Sequence, residues 1–226
     1  MLRCVCAVVV AAGMAASPAA ADRQRTASVR SAAGRAAAVT DCGDELEARA
    51  VSWKPAIRKG VVFAVEIQGP LGGVTWDSVA GKALVIDCSL AVSLADAGRY
   101  LADLGVERVR FSSAYDVRNV RGTDRRSKHS FGLAIDVHGF EGAEIGAVRV
   151  DHDYEQGLGD AVDCIGQPLT RGGAVLKVLQ CQLVRSGLFR LVLSPDFDDA
   201  HHDHFHLEAR PWSERAEVRS QVPAIY

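Results

Sequence analysis

The chain has 226 residues, 48% hydrophobic and 24% charged, enough for one generous core or two small ones. Residues 1–40 hold five Arg and one Asp; taken from the 26 basic and 28 acidic residues of the whole, this leaves 21 and 27, so residues 41–226 carry about −6. That balance, with no basic stripe, argues against a nucleic-acid-binding protein.

The N-terminus, MLRCVCAVVVAAGMAASPAAAD, has one Arg, an apolar run from Val5 to Ala16, and Ala19 and Ala21 in an A-x-A pattern before Asp22. This predicts a signal peptide over 1–21. The run is too short for a comfortable membrane anchor, and no membrane span is expected in the mature chain. Residues 22–40, rich in Ala, Ser and Arg with no large apolar residue, predict a disordered basic linker. The folded domain is expected over 41–226, in a periplasmic or secreted protein. Cys4 and Cys6 would leave with the signal, while Cys42, Cys88, Cys164 and Cys181 stay. An even count in an exported chain points to two disulfides. Three pairings are open, and the local one, Cys42–Cys88 with Cys164–Cys181, is favoured.

Within the domain, ALVID (83–87) predicts a strand and Ser89–Leu104 a helix closed by Gly105. VERVRFSSAY (106–115) and LAIDVHGF (133–140) alternate at period two and predict strands, with AEIGAVRVD (143–151) a third. AVLKVLQCQLVRSG (174–187) suits a helix ended by Gly187, while LFRLVLSP (188–195) and HFHLEA (204–209) suit closing strands. Strands and helices mix without regular βαβ alternation, so the expected class is α+β, a small antiparallel sheet flanked by helices.

Two stretches carry chemistry. In HHDHFHLE (201–208) an extended strand turns His204, His206 and Glu208 one way and Phe205 and Leu207 the other. In SKHSFGLAIDVHGF (127–140), Gly132 lets a loop bearing His129 fold back on a strand bearing Asp136. Imidazole is the commonest metal ligand. Two His and one carboxylate with an open fourth position describe a catalytic zinc site, whose bound water becomes a usable nucleophile near neutral pH. The bland alternatives are a solvated His patch or a blunted edge strand. His138, His201, His202 and His152 read as neighbouring or loop residues, and Trp53, Trp76 and Trp212 as core.

Ser127, His129, Gly132, Ala134 and Asp136, followed by Asp203-His204-Phe205-His206, match S-x-H-x-x-G-x-A-x-D with a downstream D-x-x-H and H-x-H. The chain thereby resembles the zinc peptidases that include D-Ala-D-Ala carboxypeptidases and lysostaphin-type enzymes. Within that group it most resembles the bacterial extensin-like C-terminal domain. That likeness takes in Cys42-Gly43, Cys88, SSAYDVR (112–118), Cys181 and VLSPDFDDAHHDHFHLE (192–208), over roughly residues 41–210. It departs from the family at Val117, Ser194 and Glu208, where Cys, Gly and Asp are expected. The resemblance implies the D-Ala-D-Ala carboxypeptidase-like architecture and Zn2+ held by His129, Asp136 and His206. It also implies Asp203 as general base, His204 as proton donor or oxyanion partner, and Arg118 stabilising the charged intermediate. Glu208 is the rival base, because in an unbroken strand Asp203 would point away from His206. The implied function is an exported zinc peptidase hydrolysing an amide in peptidoglycan peptides. The alternatives are a non-catalytic cell-wall-binding module and a structural-zinc domain.

Overall fold

The computed structural model describes residues 41–158 and 164–215; the predicted signal peptide and linker lie outside them. Residues 41–48 form helix α1. Three short strands follow, β1 (Trp53–Pro55), β2 (Ala64–Ile67) and β3 (Thr75–Ser78). Then β4 (Val85–Asp87) runs directly into helix α2 (Cys88–Asp103). The remaining elements are β5 (Arg108–Ser113), β6 (Ala134–Gly142), β7 (Gly146–Arg149), helices α3 (Val150–Asp153) and α4 (Arg171–Arg185), β8 (Leu191–Leu193) and β9 (Phe205–Glu208).

The class is α+β, with two sheets. The smaller is antiparallel in the order β1-β2-β4. The larger runs β3-β5-β6-β9-β8, with β7 also paired to β6. Its pairs are antiparallel except β3 with β5. The long strand β6 is the axis of the larger sheet. On one edge its first half pairs with β9 and its second half with β7, and β5 takes the other edge.

Helix α2 starts where it does because the Asp87 side chain accepts from the Ser89 N–H at 2.9 Å, the N-cap bond. It ends at Gly105, whose positive φ (82°) lets the chain leave the last turn while its N–H donates to Ala102 O. Leu90, Leu94 and Leu101 on α2, Leu176 and Leu179 on α4, and Val109, Ile135, Phe140, Phe205 and Leu207 on the sheet form one buried cluster. Helices α2 and α4 touch each other, α2 lying against β2 and β4 and α4 against β7 and β8.

Both disulfides form, in the local pairing. Cys42–Cys88 ties α1 to the first residue of α2, and Cys164–Cys181 ties the segment before α4 to that helix. Their separations of 46 and 17 residues correspond to roughly 4 and 3 kcal/mol of loop-closure entropy removed from the unfolded chain. They fit an oxidising compartment, and no helix among the described residues is long and apolar enough to cross a membrane.

Candidate metal centre

Three elements bring the candidate ligands together. Asp136 on β6 and His206 on β9 are direct partners in the antiparallel register, although 70 residues apart in sequence. His129 rides on a 3₁₀ turn (Lys128–Phe131) just before β6, with Ser127 capping it. That turn closes at Gly132, in the left-handed conformation (φ 64°). Only glycine fits there, because a Cβ would stand 2.7 Å from the Asp87 backbone nitrogen, whose N–H donates to Gly132 O. The tight turn, pinned to the end of β4, is what aims His129 inward.

The result is a triangle of ligand atoms. His129 Nε2 lies 3.1 Å from Asp136 Oδ1 and 3.3 Å from His206 Nδ1, and His206 Nδ1 lies 2.8 Å from Asp136 Oδ1. The three residues are 0%, 5% and 8% exposed. Ligand atoms around tetrahedral zinc stand about 3.3 Å apart, given bonds near 2.0–2.1 Å, so the triangle needs only slight opening to hold the ion. The outer ring nitrogens are also engaged. His129 Nδ1 meets Ser113 Oγ at 3.3 Å, and His206 Nε2 meets the Glu208 carboxylate at 3.2 Å. Metal-bound histidines are oriented by partners of this kind. The donor set fits zinc.

The charge balance agrees with a cation-binding cavity. Burial pushes the Asp136 carboxyl up, but hydrogen bonds from His129 and His206 outweigh it and hold the group well below the usual carboxylate range. Burial pushes His206 down, yet Asp136 and Glu208 on its two sides raise it to about 9.

Beside this triad lies a second group, His138, Asp203 and His204, all half-buried. His204 Nδ1 meets Asp203 Oδ1 at 2.7 Å, while His204 Nε2 faces the centre, 3.4 Å from Asp136 Oδ1. Asp203 therefore stands behind His204 rather than against His206. It sits in the turn before β9, which supplies the break in the strand that its position required. Burial lowers the His204 pKa against the opposing pull of Asp136 and Asp203. Burial raises that of Asp203, but His204 and His138 overcome this and bring it below its ordinary value. Glu208 takes the outer nitrogen of His206, away from the triangle. Arg118 pairs with Asp116 at 3.1 Å and reaches within 3.9 Å of Asp136 Oδ2.

The sequence motif gives His138 no role, and Ser112 and Ser113 enter only as part of a matching segment. Two β-bulges give all three a place. Arg110 pairs with Gly139, Phe111 with Val137 and Ser113 with Asp136, so His138 on β6 and Ser112 on β5 are both squeezed out of register. The two displaced residues meet, Ser112 Oγ to His138 Nε2 at 2.7 Å. The His138 ring then packs 5.4 Å from that of His204, with Nδ1 3.9 Å from Asp203. Bulges beside active sites re-aim side chains in this way, and alternation alone does not reveal them. His201 is also nearer than a loop reading suggests, its ring 5.2 Å from His204 and 5.6 Å from His206. His152 is exposed, Trp76 is buried, and Trp53 and Trp212 pack partly buried against the core.

A family model described as extensin-like protein C-terminus matches residues 40–218. No curated protein and no solved structure matches the chain.

Proposed function

This chain belongs to the extensin-like protein C-terminus family, and we propose that it is an exported zinc-dependent peptidase hydrolysing an amide bond in peptidoglycan peptides. The observation that carries the reading is the buried His129–Asp136–His206 triangle with both outer histidine nitrogens engaged. When bound there, zinc supplies an acidified water and a Lewis acid for the scissile carbonyl.

The chain's own residues do the rest. Asp136 and the two imidazoles hold the ion, and Ser113 and Glu208 keep those imidazoles aimed. His204 presents Nε2 to the centre and accepts the proton from the attacking water, later returning it to the leaving amine. Asp203, on the Nδ1 side, fixes the ring orientation and compensates the imidazolium. The general-base work expected of Asp203 thus falls to the Asp203–His204 pair, because the imidazole stands between that carboxylate and the triangle. Arg118, close to Asp136 and open to solvent on its other side, stabilises charge on the carbonyl oxygen. Cavities of about 620 and 390 Å³ share Ser112, the first also lined by Ser113 and the second by His138, which gives an extended peptide room along β5.

The test is metal content of the purified protein beside His206→Ala, followed by digestion of muropeptides. Stoichiometric zinc lost in the variant, with products from wild type only, supports the reading. Zinc without any product favours a cell-wall-binding module on the same fold. No zinc in either protein overturns the metal reading.

A further inference from the structure

The domain is acidic overall, yet the segment 118–128 carries Arg118, Arg121, Arg125, Arg126 and Lys128 against the single acid Asp124. The fold gathers these charges rather than spreading them. An antiparallel bridge between Asn119 and Arg126, with Ser127 N–H donating to Arg118 O, closes the segment on itself. One end therefore carries Arg118 towards Asp136, and the other lines a cavity of about 270 Å³ with Arg125, Arg126 and Lys128. Arg190 and Leu191, at the edge of β8, form the facing wall.

Glu208 is the one carboxylate lining this cavity, and it is already committed. One oxygen takes His206 Nε2 at 3.2 Å, and the other lies 3.9 Å from Arg190. Arg125, Arg126 and Lys128 have no carboxylate within ion-pair distance among the described residues. Like charges held around one small space repel each other, and an anion between them relieves that cost. The cavity is too small for a peptide but large enough for one anionic group. It also adjoins the centre at two points, since Lys128 precedes His129 and Glu208 holds His206.

We infer that the Arg125–Arg126–Lys128–Arg190 cavity is an anion-binding subsite that grips a carboxylate of the substrate peptide while the amide to be cut lies at the metal centre. The inference rests on the peptidase reading for its substrate. Guanidinium groups suit it, because they offer paired donors to a carboxylate. The same chemistry would take a phosphate, whether free or on a wall polymer.

The test uses the full zinc-loaded chain and three probes measured by calorimetry. These are a tetrapeptide ending in D-alanine with its carboxylates free, the same peptide fully amidated, and inorganic phosphate. The free acid is expected to bind about tenfold tighter than the amide, the scale of charge-assisted pairs lost from a solvated site. That gap should close in Arg125→Ala/Arg126→Ala, which removes two exposed side chains, with zinc content and melting temperature as controls for folding. Phosphate that competes weakly leaves the carboxylate assignment standing. Phosphate that binds as tightly as the free peptide, through the same two arginines, overturns it in favour of a phosphate ligand. Equal affinity for acid and amide in wild type overturns the subsite altogether. Acid-over-amide preference without hydrolysis keeps the subsite and removes the peptidase reading; hydrolysis without preference does the reverse.

Discussion

Two groups of histidine and aspartate lie side by side in this molecule, and they are built differently. The inner one, His129, Asp136 and His206, is held by a glycine-closed turn and a direct cross-strand pair, and each member is under one-tenth exposed. The outer one, His138, Asp203 and His204, sits on a bulge and a turn and stays half-buried. Nearly the same side chains are thus given opposite settings. Buried charges need a fixed counter-charge, which a metal supplies. A proton-handling pair instead needs contact with substrate and water. On the proposed peptidase reading, the difference teaches that burial and anchoring, rather than residue type, separate a ligand from a proton carrier.

The comparison is broken most severely by removing an inner ligand. His206→Ala should abolish both zinc binding, read by atomic absorption, and hydrolysis. Removing the metal instead of the ligand sharpens it. In the folded apo-protein His206 is raised to about 9, so its stabilising contribution is complete below its ordinary value near 6.5 and is lost as pH rises through 9. Chelated protein should therefore lose stability to urea between those pH values. Zinc-loaded protein should not do so on this account, because the ion replaces the proton.

The outer group should behave otherwise. His204→Ala is expected to lower kcat by about 10²–10⁴-fold with zinc retained, and Asp203→Asn by about 10–100-fold, as for a residue acting through another. Zinc lost with either variant would erase the distinction between the groups. Gly132→Ala tests the anchoring itself. It forces a positive φ and a 2.7 Å contact, which should cost about 1–3 kcal/mol in denaturant unfolding and weaken zinc binding with it. His138→Ala should have the smallest effect, roughly tenfold in kcat at most, since it touches Asp203, His204 and Ser112 but none of the three candidate ligands.

Much of this was legible in the sequence where local rules apply. Alternation marked β5, β6 and β9, and with it the shared face of His204, His206 and Glu208. Strands β1 to β3 were not foreseen. They are three or four residues long, and Pro55, Pro70, Gly69, Gly72 and Gly73 interrupt the stretch, leaving no run in which a period could show. The bulges that eject Ser112 and His138 were equally hidden, because a register slip is a relation between two strands. The basic cavity escaped as well: net charge over the whole domain hides the basic run 118–128, and only folding brings Arg190 against it.

By itself the sequence determined the residue types of the site, their order, the glycine that lets the chain turn at 132 and the faces of single strands, all of which depend on near neighbours along the chain. Only the tertiary structure decided that Asp136 lies opposite His206, that Asp203 stands behind His204, and that four cations surround one cavity. The first joins residues 70 apart in sequence, the second depends on how the turn before β9 sets His204 against Asp136, and the third brings Arg190 to a basic segment far from it in the chain; all are set by which strands share hydrogen bonds and which faces bury together.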